Sequence, residues 1–177
     1  MSGDGVIIRS SRVEDVPRFA AIYAHHVLNG LASFEEVPPE PQEIARRRGD
    51  ILARGLPYLA AEADGKVLGY CYAGPFRPRV AYRYTLEDSI YIDPAAVGRG
   101  IGRKLLSGVL ARCEELGYRQ MVAVIGGRET IPSIRLHAAL GFTEIGLLTG
   151  VGFKFGRWVD SVLMQRALGP GTDTPPG

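Results

Sequence analysis

The sequence predicts an α/β or α+β domain built on a mixed sheet with helices on both faces, and three observations lead there. Strand-like and helix-like segments follow one another in the order β-α-α-β-β-β-α-β-α-β-β. The run Gln120 to Ile125 is apolar enough for a strand covered on both sides. A chain of 177 residues, 46% hydrophobic and 23% charged, supports one core and falls outside the composition of disordered chains. A single domain is expected over residues 1–168, followed by a disordered Gly/Pro-rich tail, GPGTDTPPG, at 169–177. No internal repeat is visible.

The first β-rich run surrounds Ile7 and Ile8, after which Ser11 and Glu14 have the spacing of a capping box. A helix over 12–29 follows, with Val16, Phe19, Ala20, Tyr23 and Val27 on one face and Gly30 as its left-handed stop. Pro38, Pro39 and Pro41 lead into a second helix ending near Gly55, with a weaker stripe of Ile44, Ile51 and Leu52. Tyr58 to Glu62 and Val67 to Ala73 flank Asp64-Gly65, the signature of a tight antiparallel hairpin. Glu87 to Asp93 reads as a central strand that stops at Pro94, which cannot donate to a ladder. Positions 101, 105, 106, 109, 110 and 113 mark an amphipathic helix closed by Gly117. Ser133 to Leu140 is a short helix ended by Gly141, and strands are expected at 142–148 and 158–166.

Charge and cysteine content narrow the function classes. A formal charge of +2 and a pI near 8.6 give no basic stripe of the kind nucleic-acid binding needs. Arg46 to Arg48, the one basic run, reads as the wet face of a helix. Cys71 and Cys113 are read as reduced core thiols, with no Cys/His spacing for a metal. MSGDGVIIRS is unlike a secretory leader and no apolar run spans a bilayer, so neither membrane nor metal is expected and the location is taken as cytoplasmic. His25 and His26 are assigned to a helix surface or the core, and Trp158 to packing.

The most informative stretch is DPAAVGRGIGRK, Asp93 to Lys104. A strand passes through Gly98, Gly100 and Gly102 directly into an amphipathic helix, so freely turning backbone and a helix N-terminus converge as an anion site. Arg99, Arg103 and Lys104 add charge suited to phosphate groups. A purely structural tight turn is the competing reading. The dinucleotide fingerprint would need glycine where Arg103 stands, and the Lys-Ser/Thr ending of a Walker loop is missing.

This loop resembles the acetyl-CoA-binding core of the GNAT superfamily, whose pattern is Gln/Arg-x-x-Gly-x-Gly/Ala. Val97, Gly100 and Gly102 stand at its marked positions, with Val97 in place of the usual Gln or Arg. IPSIRLHAALGF, from Ile131 to Phe142, resembles the superfamily's later helix, with Thr130 where relatives often carry Asn. Together with PFRPRVAYRYTLEDSIYID and GVGFKFGRWVDSVLMQ, these stretches resemble the phosphinothricin and methionine sulfoximine or sulfone acetyltransferases over about 165 residues. The resemblance implies the GNAT acyl-CoA N-acyltransferase fold with a mostly antiparallel sheet and a homodimeric assembly. It implies acetyl-CoA as co-substrate and acetyl transfer to the α-amino group of a small amino-acid-like acceptor.

That chemistry assigns roles. A protonated amine must lose its proton before it attacks a thioester, and Glu87, aligned with the family's catalytic glutamate, is the expected base, acting through a water. The bland alternative is a solvated strand-end acid, with Asp88 as the rival carboxylate. His137 occupies the position of the superfamily's tyrosine acid and is expected to help the thiolate leave, or else to be structural. The resemblance adds the backbone of Ile90, Tyr91 and Ile92 for the oxyanion, and Val97 to Lys104 (Ile101 included), Thr130 and Ser133 for the cofactor. Arg77 and Arg79 are expected to bind the acceptor's anionic groups, with Phe34, Glu35, Tyr82 and Tyr84 as pocket residues by resemblance. Two alternatives stay open: a polyamine, an antibiotic or a protein N-terminus as acceptor, or a non-catalytic acyl-CoA sensor.

Overall fold

The computed structural model describes residues 5–177, so the first four positions of the expected domain lie outside the described residues. The elements follow the expected order. They are β1 (Ile7–Ser10), α1 (Val16–Asn29), α2 (Pro41–Ala53), β2 (Tyr58–Ala63), β3 (Lys66–Pro75) and β4 (Thr85–Ile92). After these come α3 (Ile101–Glu115), β5 (Gln120–Gly126), α4 (Ile131–Ala139), β6 (Thr143–Lys154) and β7 (Arg157–Ala167). One seven-stranded sheet has the order β1-β2-β3-β4-β5-β7-β6. Every neighbouring pair is antiparallel except β4 and β5.

The sheet alternation feeds two cores. Tyr58, Ala60, Val67, Tyr70 and Tyr91 face α1, where Val16, Phe19, Ala20, Tyr23 and Val27 form the expected buried stripe. Leu59, Ala61, Cys71, Ala73 and Leu86 face the opposite way, against Ile101, Leu105, Leu106, Val109, Leu110 and Cys113 of α3. α4 closes that second layer through Ile134 and Leu136. Both cysteines are buried thiols, and burial pushes Cys113 up to about 12.

Several local expectations are corrected. α1 is entered through a 3-10 turn (Val13–Asp15), where Asp15, not Glu14, closes the N-terminus by accepting from Arg12 N at 2.7 Å. Arg9 holds that carboxylate with two bonds of 2.7 and 2.8 Å, while the Ser11 hydroxyl is taken by Arg48 Nε at 2.8 Å. Gly30 is extended (φ −151°), so it ends α1 without a left-handed turn. Only Arg46 fits the wet-face reading fully; Arg47 binds Glu35 at 2.5 Å and Arg48 binds Ser11, tying α2 to its neighbours. The last hairpin is much longer than expected because Phe155 (φ 52°) and Gly156 (φ 72°) make a tight turn that lacks the usual Asn/Asp-Gly signal. Trp158 is 69% exposed and touches Phe153 edge-on at 5.2 Å, because this hairpin forms the sheet's edge. Within residues 169–177 the chain makes turns, and Arg119 donates to the carbonyls of Gly171, Thr174 and Pro175.

Candidate active site

The β4–β5 ladder has three rungs, Thr85↔Gln120, Leu86↔Met121 and Glu87↔Val122, and then the two parallel strands separate. Each remains paired on its outer side, β4 to β3 and β5 to β7. Asp93 N donates to Leu68 O on β3, so by strand alternation the peptide groups of Asp88, Ile90 and Ile92 point into the gap. Ile92 O already accepts from His26 Nε2 at 2.8 Å, which also sets that ring's tautomer. On the other side Gly127 N donates to Asp160 O, so Val124 and Gly126 face the same gap. Gly126 O is bonded by the Thr130 hydroxyl at 2.5 Å. The result is a cleft of ≈ 780 Å³ walled by unpaired strand edges. It also corrects the reading of β5 as covered on both faces: Val124 is 42% exposed because it looks into this cleft.

Such a gap accepts an extended, amide-bearing chain as an added half-strand, since edge N–H and C=O groups seek partners. At its outer end, Gly98 (φ 82°) and Gly100 (φ 73°) take left-handed backbone, and a Cβ on either would meet open space. Their role is therefore conformational. Gly102 is there for clearance: a Cβ would sit 3.2 Å from Leu136 of α4. Lys104 N closes the first helical bond to Gly100 O, leaving the N–H groups of residues 101–103 at the end of α3 without helical acceptors. Arg99, Arg103 and Lys104 are exposed around this end, and Ile101 is buried, so Ile101 offers only its backbone. The donor set fits a diphosphate.

Glu87 stands at the vertex where the strands part and lines the cleft with Ser89, Ile90, Tyr91, Ile92 and Val97. Its carboxyl is half-buried, and desolvation first, then the charge of Asp88, pushes its pKa up to about 6. A carboxylate poised near neutrality suits proton abstraction. Asp88 points to the other face and is bonded to His137 Nε2 at 3.0 Å. His137 is 2% exposed, with Nδ1 2.8 Å from Ser133 O, so both nitrogens of the expected proton donor are engaged.

The structure brings Phe34, Thr130, Ser133 and His137 into the same cleft as Glu87. Glu35 lies beside it, held by Arg47 and by the Tyr23 hydroxyl at 2.9 Å. Arg77, Arg79, Tyr82 and Tyr84 sit on the β3–β4 connection, away from the cleft lining of this one chain. The Arg77 guanidinium lies over the rings of Phe76 and Tyr82, at 4.9 and 5.5 Å from their centroids.

Two features had no signal in the sequence reading. His26 reaches β4 from α1, and Lys154, 2% exposed, donates to Gly30 O at 2.8 Å and Ser33 O at 2.6 Å. Lys154 thereby pins the segment that carries Phe34 into the cleft. A lysine before a hairpin turn looks like a surface residue until the fold places it under another loop. Among the described residues no cluster of His, Cys, Asp or Glu is arranged for a metal, and no helix is long and apolar enough to cross a membrane.

Comparisons with known proteins agree with this geometry. Residues 22–142 match the Acetyltransferase (GNAT) family. The phosphinothricin N-acetyltransferase of Alcaligenes faecalis is 56% identical over 169 residues, covering 96% of this chain and 86% of that protein. The L-methionine sulfoximine/L-methionine sulfone acetyltransferase of Pseudomonas aeruginosa is 40% identical over 172 residues, covering 95% and 98%. A GNAT superfamily phosphinothricin acetyltransferase from Sinorhizobium meliloti, solved in complex with AcCoA, superposes with a TM-score of 0.94 at 48% identity, covering 98% of this chain and 94% of that one.

Proposed function

Since the chain belongs to the acetyltransferase (GNAT) family and is an acetyl-CoA-dependent N-acetyltransferase, we propose that its acceptor is the α-amino group of a small amino acid such as phosphinothricin, methionine sulfoximine or methionine sulfone. The observation that carries the reading is the Glu87 carboxyl at the vertex of the cleft, with its pKa raised to about 6. Glu87 takes the acceptor's ammonium proton through a water, and the neutral amine then attacks the thioester carbonyl. The inward N–H groups of Ile90 and Ile92 supply donors for the developing oxyanion. The N-terminus of α3 and the 98–102 turn hold the diphosphate, with Arg99, Arg103 and Lys104 around it. The unpaired edges of β4 and β5 align the amide-bearing arm so that the thioester meets Glu87.

His137 is proposed to act at the thiolate side of this centre, but its Nε2 is already bonded to Asp88 Oδ2. Delivering a proton from Nε2 to a thiolate requires that bond to break. Arg77 and Arg79 are proposed to meet the acceptor's carboxylate and its phosphinate, sulfone or sulfoximine group. In support, their loop leaves β3 just past the Gly74↔Glu87 pair, at the same end of the sheet as the base. Phe34, Glu35, Tyr82 and Tyr84 complete the proposed acceptor surround.

We also propose a homodimer in the cytoplasm. Val151, Phe153, Phe155 and Trp158 are 54%, 56%, 55% and 69% exposed along the β6–β7 hairpin, an apolar strip that a second copy would cover.

The deciding experiment follows free-thiol release from acetyl-CoA across a panel of acceptors. Methionine sulfone, methionine sulfoximine and phosphinothricin are expected to turn over far faster than polyamines, aminoglycosides or peptide N-termini. Turnover confined to the cationic acceptors would reassign the substrate class, and no thiol above background with any acceptor would leave a binding module.

A further inference from the structure

Asp88 and His137 meet on the sheet face opposite Glu87, with side chains 1% and 3% exposed. Ser133 O, 2.8 Å from Nδ1, is a carbonyl and only accepts, so Nδ1 carries a proton. A neutral ring then has a bare Nε2. The 3.0 Å bond to Asp88 Oδ2 therefore needs either an imidazolium against a carboxylate or a carboxylic acid against a neutral ring. Burial works against the charged ring, yet the hydrogen bond and charge of Asp88 outweigh it and the Ser133 carbonyl adds to them, leaving the ring above its ordinary pKa. The other titratable groups in range are Cys71 on β3, Cys113 on α3 and Glu87 itself, and none of them brings a positive charge. The bond to Asp88 therefore favours the protonated ring.

Position gives the pair a consequence. The β4–β5 ladder ends at Glu87, so Asp88 is the first residue of the free edge, and His137 lies in the last turn of α4. The bond ties that edge to the helix across the inner end of the cleft, which both residues line. Phe142 meets the imidazole edge-on at 5.0 Å, so the ring has little freedom to turn. Asp88 Oδ1 is buried and takes no hydrogen bond among the described residues, leaving the pair one open acceptor.

We infer that Asp88 is a positioning residue for acetyl transfer, locking the His137 ring across the vertex and so setting how far the free edge of β4 stands from α4. The inference rests on the acetyl-transfer reading above and deepens it: Glu87 faces the acceptor, while Asp88 acts through His137 behind the thioester.

Nitrogen NMR of protein carrying labelled histidine reads the ring directly, with its resonances assigned against His137→Gln. In the unsubstituted enzyme both ring nitrogens of His137 are expected to stay protonated above the ordinary histidine pKa of about 6.5. Asp88→Asn keeps the shape and removes the charge. It is expected to leave the ring singly protonated at the same pH and to lower kcat roughly 10- to 100-fold with the KM for acetyl-CoA nearly unchanged. An unprotonated Nε2 in the unsubstituted enzyme, an unaltered kcat in Asp88→Asn, or a loss confined to the KM for acetyl-CoA would each overturn the inference. If Asp88→Asn does not fold, the spectrum of the unsubstituted protein decides alone. Absence of turnover with every amino-acid acceptor would instead sink the acetyl-transfer reading, since the ring state is read without turnover.

Discussion

Gly74 stands directly across from Glu87 in the β3–β4 register, so no β3 side chain lies over the proposed base, whose other cross-strand neighbour is Val122 of β5. A Cβ at Gly74 would already crowd Ile51 at 3.2 Å, which keeps that side of the carboxylate low. The carboxylate is desolvated by the strand and its flanks, yet open toward the cleft.

Glu87→Gln is therefore expected to lower kcat at least ~10-fold while the Kd for acetyl-CoA stays unchanged, as steady-state kinetics and calorimetry would read. Equal turnover in the two forms would remove Glu87 as the base.

The pH profile follows from the same residue. Glu87 is a base only when ionised, so kcat/KM should fall as pH drops below about 6. Glu87→Gln should lose this limb and keep the one set by the acceptor's own ammonium group. Stability runs the opposite way: the folded pKa of about 6 lies above the ordinary 4.5, so the folded state holds its proton longer and loses stability as pH rises between the two. In Glu87→Gln, thermal unfolding should lack that loss.

Gly100→Ala tests the turn. Its φ of 73° is left-handed, and holding a non-glycine residue there costs roughly 1–2 kcal/mol. If that geometry is what grips the diphosphate, the Kd for acetyl-CoA rises about 5- to 30-fold with kcat at saturation little altered. Unchanged affinity by calorimetry would count against the turn as the anion site.

Lys154→Met keeps the buried stem and removes both donors, stranding Gly30 O and Ser33 O. The expected cost is about 1–3 kcal/mol, read as a Tm lower by about 2–4 °C for each kcal/mol. Because the pinned segment carries Phe34, the acceptor's KM should rise while that for acetyl-CoA holds. A Tm within error of the unsubstituted protein would refute the pinning.

Trp158→Glu places a charge in the exposed hairpin strip. Light scattering behind size exclusion should report a dimer for the unsubstituted chain and a monomer for the variant. An unsubstituted chain that runs as a monomer would dispose of the proposed interface.

Local patterning was enough to reveal the sheet-and-helix order, the buried stripes of α1 and α3, the Asp64-Gly65 hairpin and the glycine turn. Each of these depends on periodicity or on backbone freedom that a few neighbouring residues specify. The resemblance pointed to Glu87 and to acetyl-CoA. Capping and turn details went astray where a distant partner intervened: Arg9 claims Asp15, Arg48 claims Ser11, and Phe155-Gly156 turns without the usual polar residue.

What only the tertiary structure decided is where strands part and which distant groups meet. One-dimensional patterning carries no register, so it could not say that β4 and β5 separate after Glu87↔Val122, nor that Val124 consequently faces a cleft rather than a core. Nor could it separate adjacent carboxylates by role. Strand alternation sends Glu87 and Asp88 to opposite faces, but burial toward one cleft wall and a histidine 49 positions away are properties of the folded chain alone.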